Sequence, residues 1–163
     1  MTIVLVYKYG PNDEGVPNEQ EGTQFPVARD VIPVSNDTTM YIQSQSGQGL
    51  RVNNFMKDAD TFADTQNPGA YYLGNTFSQS SVSDASPFVI MYVEGTAFFN
   101  ITLVREPLQE ARLAAEGFLK SKLGISENEM CQLIYALSVP GYVQAEYSSV
   151  DFRFSFCPDA LAL

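Results

Sequence analysis

The stretch KDADTFADTQNPG gathers three carboxylates, Asp58, Asp60 and Asp64, ahead of an Asn67-Pro68-Gly69 break, and it is the first place where the chain could do chemistry. Calcium prefers several carboxylate and carbonyl oxygens on a flexible loop. The stretch supplies oxygens but lacks the glycine and the distal bidentate glutamate of an EF-hand loop. The competing reading is a solvated turn in which Asp side chains cap nearby backbone N–H groups. Spacing favours the turn, with calcium as the metal candidate to be weighed against it.

Other chemistries are limited by what is missing. The sequence has no histidine, which removes Ser-His-Asp and Cys-His nucleophilic sites, His-based zinc sites and any imidazole base. A glycosidase needs two carboxylates facing one cleft; Asp58, Asp60, Asp64, Glu94 and Asp151 are available, as a similar set would be in most acidic proteins. No G-x-S-x-G, S-x-x-K, H-E-x-x-H or P-loop pattern occurs. Gly47 and Gly49 imitate the start of a dinucleotide fingerprint, but Val52 stands at the third glycine position and a strand pattern follows, so no cofactor is called for. Two cysteines, Cys131 and Cys157, are too few for a four-ligand zinc knuckle and read as one disulfide or as two buried thiols. Pairing would stabilise the fold by about 3 to 4 kcal/mol in the chain-entropy model. Tyr71, Tyr72, Tyr142 and Tyr147 are the aromatic candidates for a recognition surface, against the plainer reading of tyrosines half-buried in sheet.

Charge narrows the partners. Nine Lys and Arg against nineteen Asp and Glu give a net charge of −10, which repels polyphosphates and anionic lipid headgroups and argues against nucleic-acid binding and electrostatic membrane docking. With 17% charged and 45% hydrophobic residues, the surface must be built largely from Ser, Thr, Asn, Gln and Tyr around a substantial core.

The elements that position these residues follow from pattern. Residues 1–9 hold the apolar run TIVLVY, either a β-strand or the remnant of a trimmed membrane helix flanked by the interface-favouring Tyr7, Lys8 and Tyr9. No signal-peptide n-region or cleavage site accompanies it. Residues 10–24 form a polar linker rich in Gly, Pro and acids, and residues 25–163 are expected to form a single α+β domain, a mainly antiparallel sheet with one long amphipathic helix, about 107–123, on one face. TMYIQSQ and LRVNNF read as a hairpin turning at Gly47 and Gly49; AYYLGNTF is a further strand, and a Ser-rich loop follows it. PFVIMYV and AFFNITLV make the clearest hairpin, the second strand with Phe99, Ile101 and Leu103 inward and Asn100 and Thr102 outward.

For the helix, Pro107 suits the first position, Glu106 and Glu110 lie near the positive end of the dipole, Lys120 and Lys122 sit in the last turn, and Gly124 stops it. Leu108, Ala111, Ala115, Phe118 and Leu119 form the apolar arc. Arg112 with Glu116 and Glu116 with Lys120 read as flank pairs together worth about 0.5 kcal/mol. Leu113, opposite the arc, is an isolated exposed leucine or a subunit contact. Ser126-Glu127-Asn128-Glu129 resembles a capping box ahead of the CQLIYALSV strand, and Val150, Phe152, Phe154 and Phe156 alternate with polar residues in an expected last strand.

Several separated segments, VNNF at Val52–Phe55, NPGAYYLG at Asn67–Gly74, FFNITL, REPLQEARLAAEGFLKSKLGISENEMCQL and the terminal SFCP, occur in an order that resembles a family of uncharacterised proteins of candidate phyla radiation bacteria (Patescibacteria). The resemblance covers roughly Leu50 to Leu163. It implies one N-terminal membrane helix, a polar linker and an extracytoplasmic domain with Cys131 bonded to Cys157, and it tips the N-terminal alternatives towards a trimmed membrane helix. It implies no activity.

The functional expectation is a non-catalytic extracytoplasmic domain, tethered to the cytoplasmic membrane, that binds a protein or glycan at the cell surface. The alternatives are a structural subunit of a pilin-like surface assembly and an acidic-site hydrolase.

Overall fold

The computed structural model describes residues 38–74 and 86–163. The expected segments 1–9 and 10–24, the start of the 25–163 domain and most of the Ser-rich loop lie outside the described residues.

The fold is α+β. Strands β1 (Thr39–Gln43) and β2 (Gly49–Asn53) form the first hairpin, with Met40 opposite Val52 and Ile42 opposite Leu50. Its turn needs one left-handed residue, Gly47 at φ 79°; Gly49, expected to share that role, instead begins β2. Strands β3 (Thr61–Ala63), β4 (Ala70–Leu73), β5 (Phe88–Val93), β6 (Phe98–Leu103) and β7 (Ile134–Ser138) make a second sheet in chain order. Its pairs are antiparallel except β6–β7, which is parallel because helix α1 (Leu108–Leu123) carries the chain back to the end of the sheet from which β6 started.

The core lies between this sheet and α1. Phe88, Ile90 and Tyr92 of β5, Phe99, Ile101 and Leu103 of β6 and Tyr135 and Leu137 of β7 alternate inward and are buried. They meet Leu108, Ala111, Ala115 and Leu119 of the helix, while Phe55 wedges edge-on against Tyr92, ring centroids 5.0 Å apart. Phe118, placed on the apolar arc by the sequence, is half-buried at its margin against Phe88. Leu113 is exposed.

Two boundary expectations shift. The helix starts at Leu108, with Pro107 as an extended N-cap residue whose carbonyl accepts from the Ala111 N–H at 3.0 Å. Gly124 closes the helix at φ 66°. The expected last strand is not a strand: Ser149 and Arg153 take left-handed φ of 74° and 60°, which breaks any continuous ladder. The segment still lies beside β7. The Phe152 N–H donates to Leu137 O at 2.9 Å, the Leu137 N–H to Asp151 Oδ1 at 3.0 Å, and the Phe154 N–H to the Tyr135 hydroxyl at 3.1 Å, so one backbone bond and two side-chain acceptors stand in for a ladder.

The largest correction concerns Arg112 and Glu116, which are buried rather than on a solvated flank. Arg112 Nη1 donates to Leu161 O at 2.7 Å, and Nη2 to Phe152 O at 3.0 Å and Arg153 O at 2.7 Å. Glu116 accepts from Arg112 Nε at 3.2 Å and from the Ser155 hydroxyl at 2.6 Å. The pair pins the C-terminal segment onto the helix. Lys120, expected to pair with Glu116, instead meets Glu127 at 2.7 Å.

Candidate functional site

Five acids were available for a metal or a hydrolytic pair, and each is held in a local contact. Asp58 Oδ2 lies 2.8 Å from the Lys122 ammonium, and Asp60 Oδ1 also binds that ammonium. A lysine therefore stands as the cation between the two carboxylates. Burial works against the charged form of Lys122, yet hydrogen bonds and charge from Asp58 and Asp60 outweigh it and raise its pKa above the ordinary value. Asp64 turns the other way, capping its own turn: Oδ1 accepts from the Gln66 N–H at 2.8 Å and Oδ2 from Asn67 Nδ2 at 2.7 Å. The Asn67 amide and the Gln66 N–H together lower the Asp64 pKa. Glu94 accepts from the Tyr71 hydroxyl at 3.3 Å, and Asp151 caps the backbone of Leu137 and Arg153. Among the described residues no group of three or more His, Cys, Asp or Glu stands together as a metal-holding set.

The tyrosines are dispersed. Tyr71 and Tyr72 are successive residues of β4, paired across to Tyr92 and Met91, so their side chains leave opposite faces of the sheet. Tyr142 is 80% exposed, and Tyr147 packs edge-on against Phe152 at 5.1 Å.

Clefts open on the surface beside α1 and beside the disulfide. One, about 600 Å³, runs along the C-terminal half of α1 and is lined by Asn53, Asn54, Asp58, Asp60, Phe118 and Lys122. Its central charge is neutralised by the carboxylates already described.

The other, about 450 Å³, lies beside the disulfide. Helix α2 (Glu127–Met130) begins with a full capping box: Ser126 Oγ accepts from the Glu129 N–H, and the Glu129 carboxylate accepts from the Ser126 N–H at 2.8 Å. It ends at Cys131, bonded to Cys157 with Cα atoms 5.6 Å apart. That bond brings the C-terminal segment against α2 and the β1–β2 turn. Gln45, Asn128, Gln132, Arg153, Phe156 and Asp159 are among the lining residues. The Gln45 N–H donates to Gln132 O at 2.8 Å and Gln45 Nε2 to Leu133 O at 2.6 Å, which fixes one wall.

Arg153 is the unusual member. Its guanidinium carbon sits 4.9 Å from the centroid of the Tyr135 ring, and its Nε is buried with no hydrogen-bond partner. Leaving a buried donor unmet costs about 1–3 kcal/mol, and the left-handed backbone of a non-glycine residue adds about 1–2 kcal/mol. Among the described residues no carboxylate pairs with it. Sequence reasoning missed this residue, because in a regular strand it would have pointed to solvent between Phe152 and Phe154. The arrangement can hold an anionic or hydrogen-bonding group against amides and one aromatic wall. Comparison with protein-family models, with curated proteins and with solved structures finds no match for the chain.

Proposed function

We propose that the domain is a non-catalytic extracytoplasmic binding module, tethered to the cytoplasmic membrane, that recognises a protein or glycan at the cell surface. The observation that carries the reading is the Cys131–Cys157 disulfide, which both fits an oxidising compartment and builds one wall of a polar, amide-rich cleft. A surface low in charge suits recognition through Asn, Gln and Tyr rather than through electrostatic steering. The tether proposed is an apolar N-terminal segment to which residues 2–7 belong; no helix among the described residues is long and apolar enough to cross a membrane.

The test is made on the native gene product in intact cells. Thiols are trapped by acid and labelled with a maleimide that adds visible mass. Expected is no labelling without prior reduction, together with digestion of the domain by protease added outside the cytoplasmic membrane. Two labelled cysteines on a protease-protected protein would overturn the proposal.

A further inference from the structure

We propose that the cleft beside the disulfide is a carboxylate receptor, that Arg153 is its binding cation, and that the ligand it fits is the C-terminal end of a short peptide. The proposal names a ligand class for the binding function above and rests on that reading.

The first ground is the state of the cation. Lys122 is taken up by Asp58 and Asp60, Lys120 by Glu127, and Arg112 by Glu116, whereas Arg153 has only the Tyr135 ring and a buried, unpartnered Nε. A guanidinium presents paired N–H donors in a plane that matches a carboxylate. In a chain of net charge −10, a guanidinium to which neither Glu127 nor Asp159 of the cleft lining is paired is a place where an anion can bind in spite of the overall field.

The second ground is that the backbone carrying the cation is held in position, with the guanidinium resting on the Tyr135 ring. The Arg153 carbonyl accepts from Arg112 Nη2 at 2.7 Å, its N–H donates to Asp151 Oδ1 at 3.2 Å, and its neighbours Phe152 and Phe154 are buried. Cys157 then closes the segment onto α2. Little freedom remains to be lost when a ligand arrives.

The remaining lining selects the ligand. The side-chain amides of Gln45 and Gln132 each spend one N–H, on Leu133 O and Asn128 O, and keep their carbonyl oxygens for peptide N–H donors. Phe156 gives the cleft an apolar wall, and Asp159 and Glu127 add negative charge at the lining, that of Glu127 countered by Lys120. That charge disfavours polyanions most, while a single carboxylate followed by amide N–H groups meets the Arg153 guanidinium and the amide carbonyl oxygens of Gln45 and Gln132. A cleft of about 450 Å³ is of the size that takes a small ligand.

The experiment is a titration of the oxidised chain followed by amide NMR, with N-acetyl-Ala-Ala as the probe and its C-terminal amide, sodium acetate, glucuronate and inorganic phosphate as the other arms. Expected are saturable shifts at Arg153 and Gln132 with the peptide acid, and binding about tenfold or more weaker for the amide, since the charge-assisted pair is lost. Arg153→Gln and Arg153→Gly should abolish the shifts; the glycine variant also accepts the left-handed backbone, so it retains the fold if the glutamine variant does not. Equal binding of acid and amide, or undiminished binding by the glycine variant, would overturn the proposal. Glucuronate or phosphate binding more tightly than the peptide acid would overturn the peptide assignment. Failure of every carboxylate with the cysteines bonded in cells sinks only this inference, whereas free cysteines in cells sink the function reading first.

Discussion

Replacing Arg112 by Met keeps a long apolar stem in the same space and removes every donor the guanidinium supplies. Glu116 is then left buried with only its Ser155 contacts, and the carbonyls of Phe152, Arg153 and Leu161 lose the donor they share. Removing one member of a buried ion pair costs about 3–5 kcal/mol, because the remaining charge is uncompensated. Leu161 is half exposed, so water can replace the donor at its carbonyl but not at that of buried Phe152. Arg112→Met is therefore expected to cost about 4 kcal/mol, and Glu116→Leu about 3 kcal/mol, since the guanidinium keeps its carbonyls. In the double variant no charge is stranded, and the cost should fall short of the sum by about 2 kcal/mol. Equilibrium urea denaturation of the oxidised protein gives all three values. If Arg112→Met costs less than about 1 kcal/mol, or if the two changes add within about 0.5 kcal/mol, the pair behaves like a surface contact and the account of the C-terminal segment is wrong.

Three further outcomes are expected. Replacing Cys131 and Cys157 by Ser should cost about 3.5 kcal/mol for a loop of sequence separation 26, read from the same urea midpoints, and an unchanged midpoint would contradict the staple. Gly74→Ala should cost about 2–4 kcal/mol, because φ is 69° and a Cβ would lie 2.6 Å from Phe118 Cζ, whose ring is packed on Phe88; a melting curve like that of the parent would refute the packing. Burial, aided by the charge of Glu94 and by Tyr71, pushes the Tyr92 pKa up to about 12, so the folded state holds the proton more tightly than the unfolded chain does. That stability is complete below the ordinary tyrosine pKa of about 10 and is lost as pH rises from there towards 12, on the order of 2–3 kcal/mol. The raised pKa of Lys122 makes its contribution fade at the upper end of the same window. Tyr92→Phe should flatten the alkaline decline, and a decline unaltered in that variant would assign it elsewhere.

The parts of the fold that were legible in the sequence are those in which one residue's neighbours along the chain decide its surroundings. Phe99, Ile101 and Leu103 alternate with Asn100 and Thr102, and strand geometry alone turns that into a buried and an outer face. Gly124, Lys120 and Lys122 mark the helix end for similarly local reasons. The parallel β6–β7 pairing was not legible, because a helical connection permits a return to either end of a sheet. Arg112 carried a faint signal. At about 100° per residue it falls between Leu119 and Leu123 on the helix wheel, inside an apolar arc once Leu123 is counted. An i,i+4 Arg–Glu pair nevertheless reads as surface until something is known to cover it.

What covers it is the 150–161 segment, and that segment also explains why Arg153 was misplaced. Regular alternation would send Arg153 away from the phenylalanines on either side, but its left-handed backbone turns the chain so that the guanidinium comes to rest on Tyr135. Its carbonyl, meanwhile, is held by Arg112. The two arginines are thus coupled: one makes four hydrogen bonds through its guanidinium and fixes the backbone, and the other is left with an unmet donor in a cleft. A segment held only to complete a sheet would have had no need of the left-handed residue, since a continued strand would pair alternate N–H groups along β7 and turn the Arg153 side chain away from the flanking phenylalanines. The departure from a regular strand is therefore the feature that separates the cleft beside the disulfide from the self-neutralised cleft around Lys122.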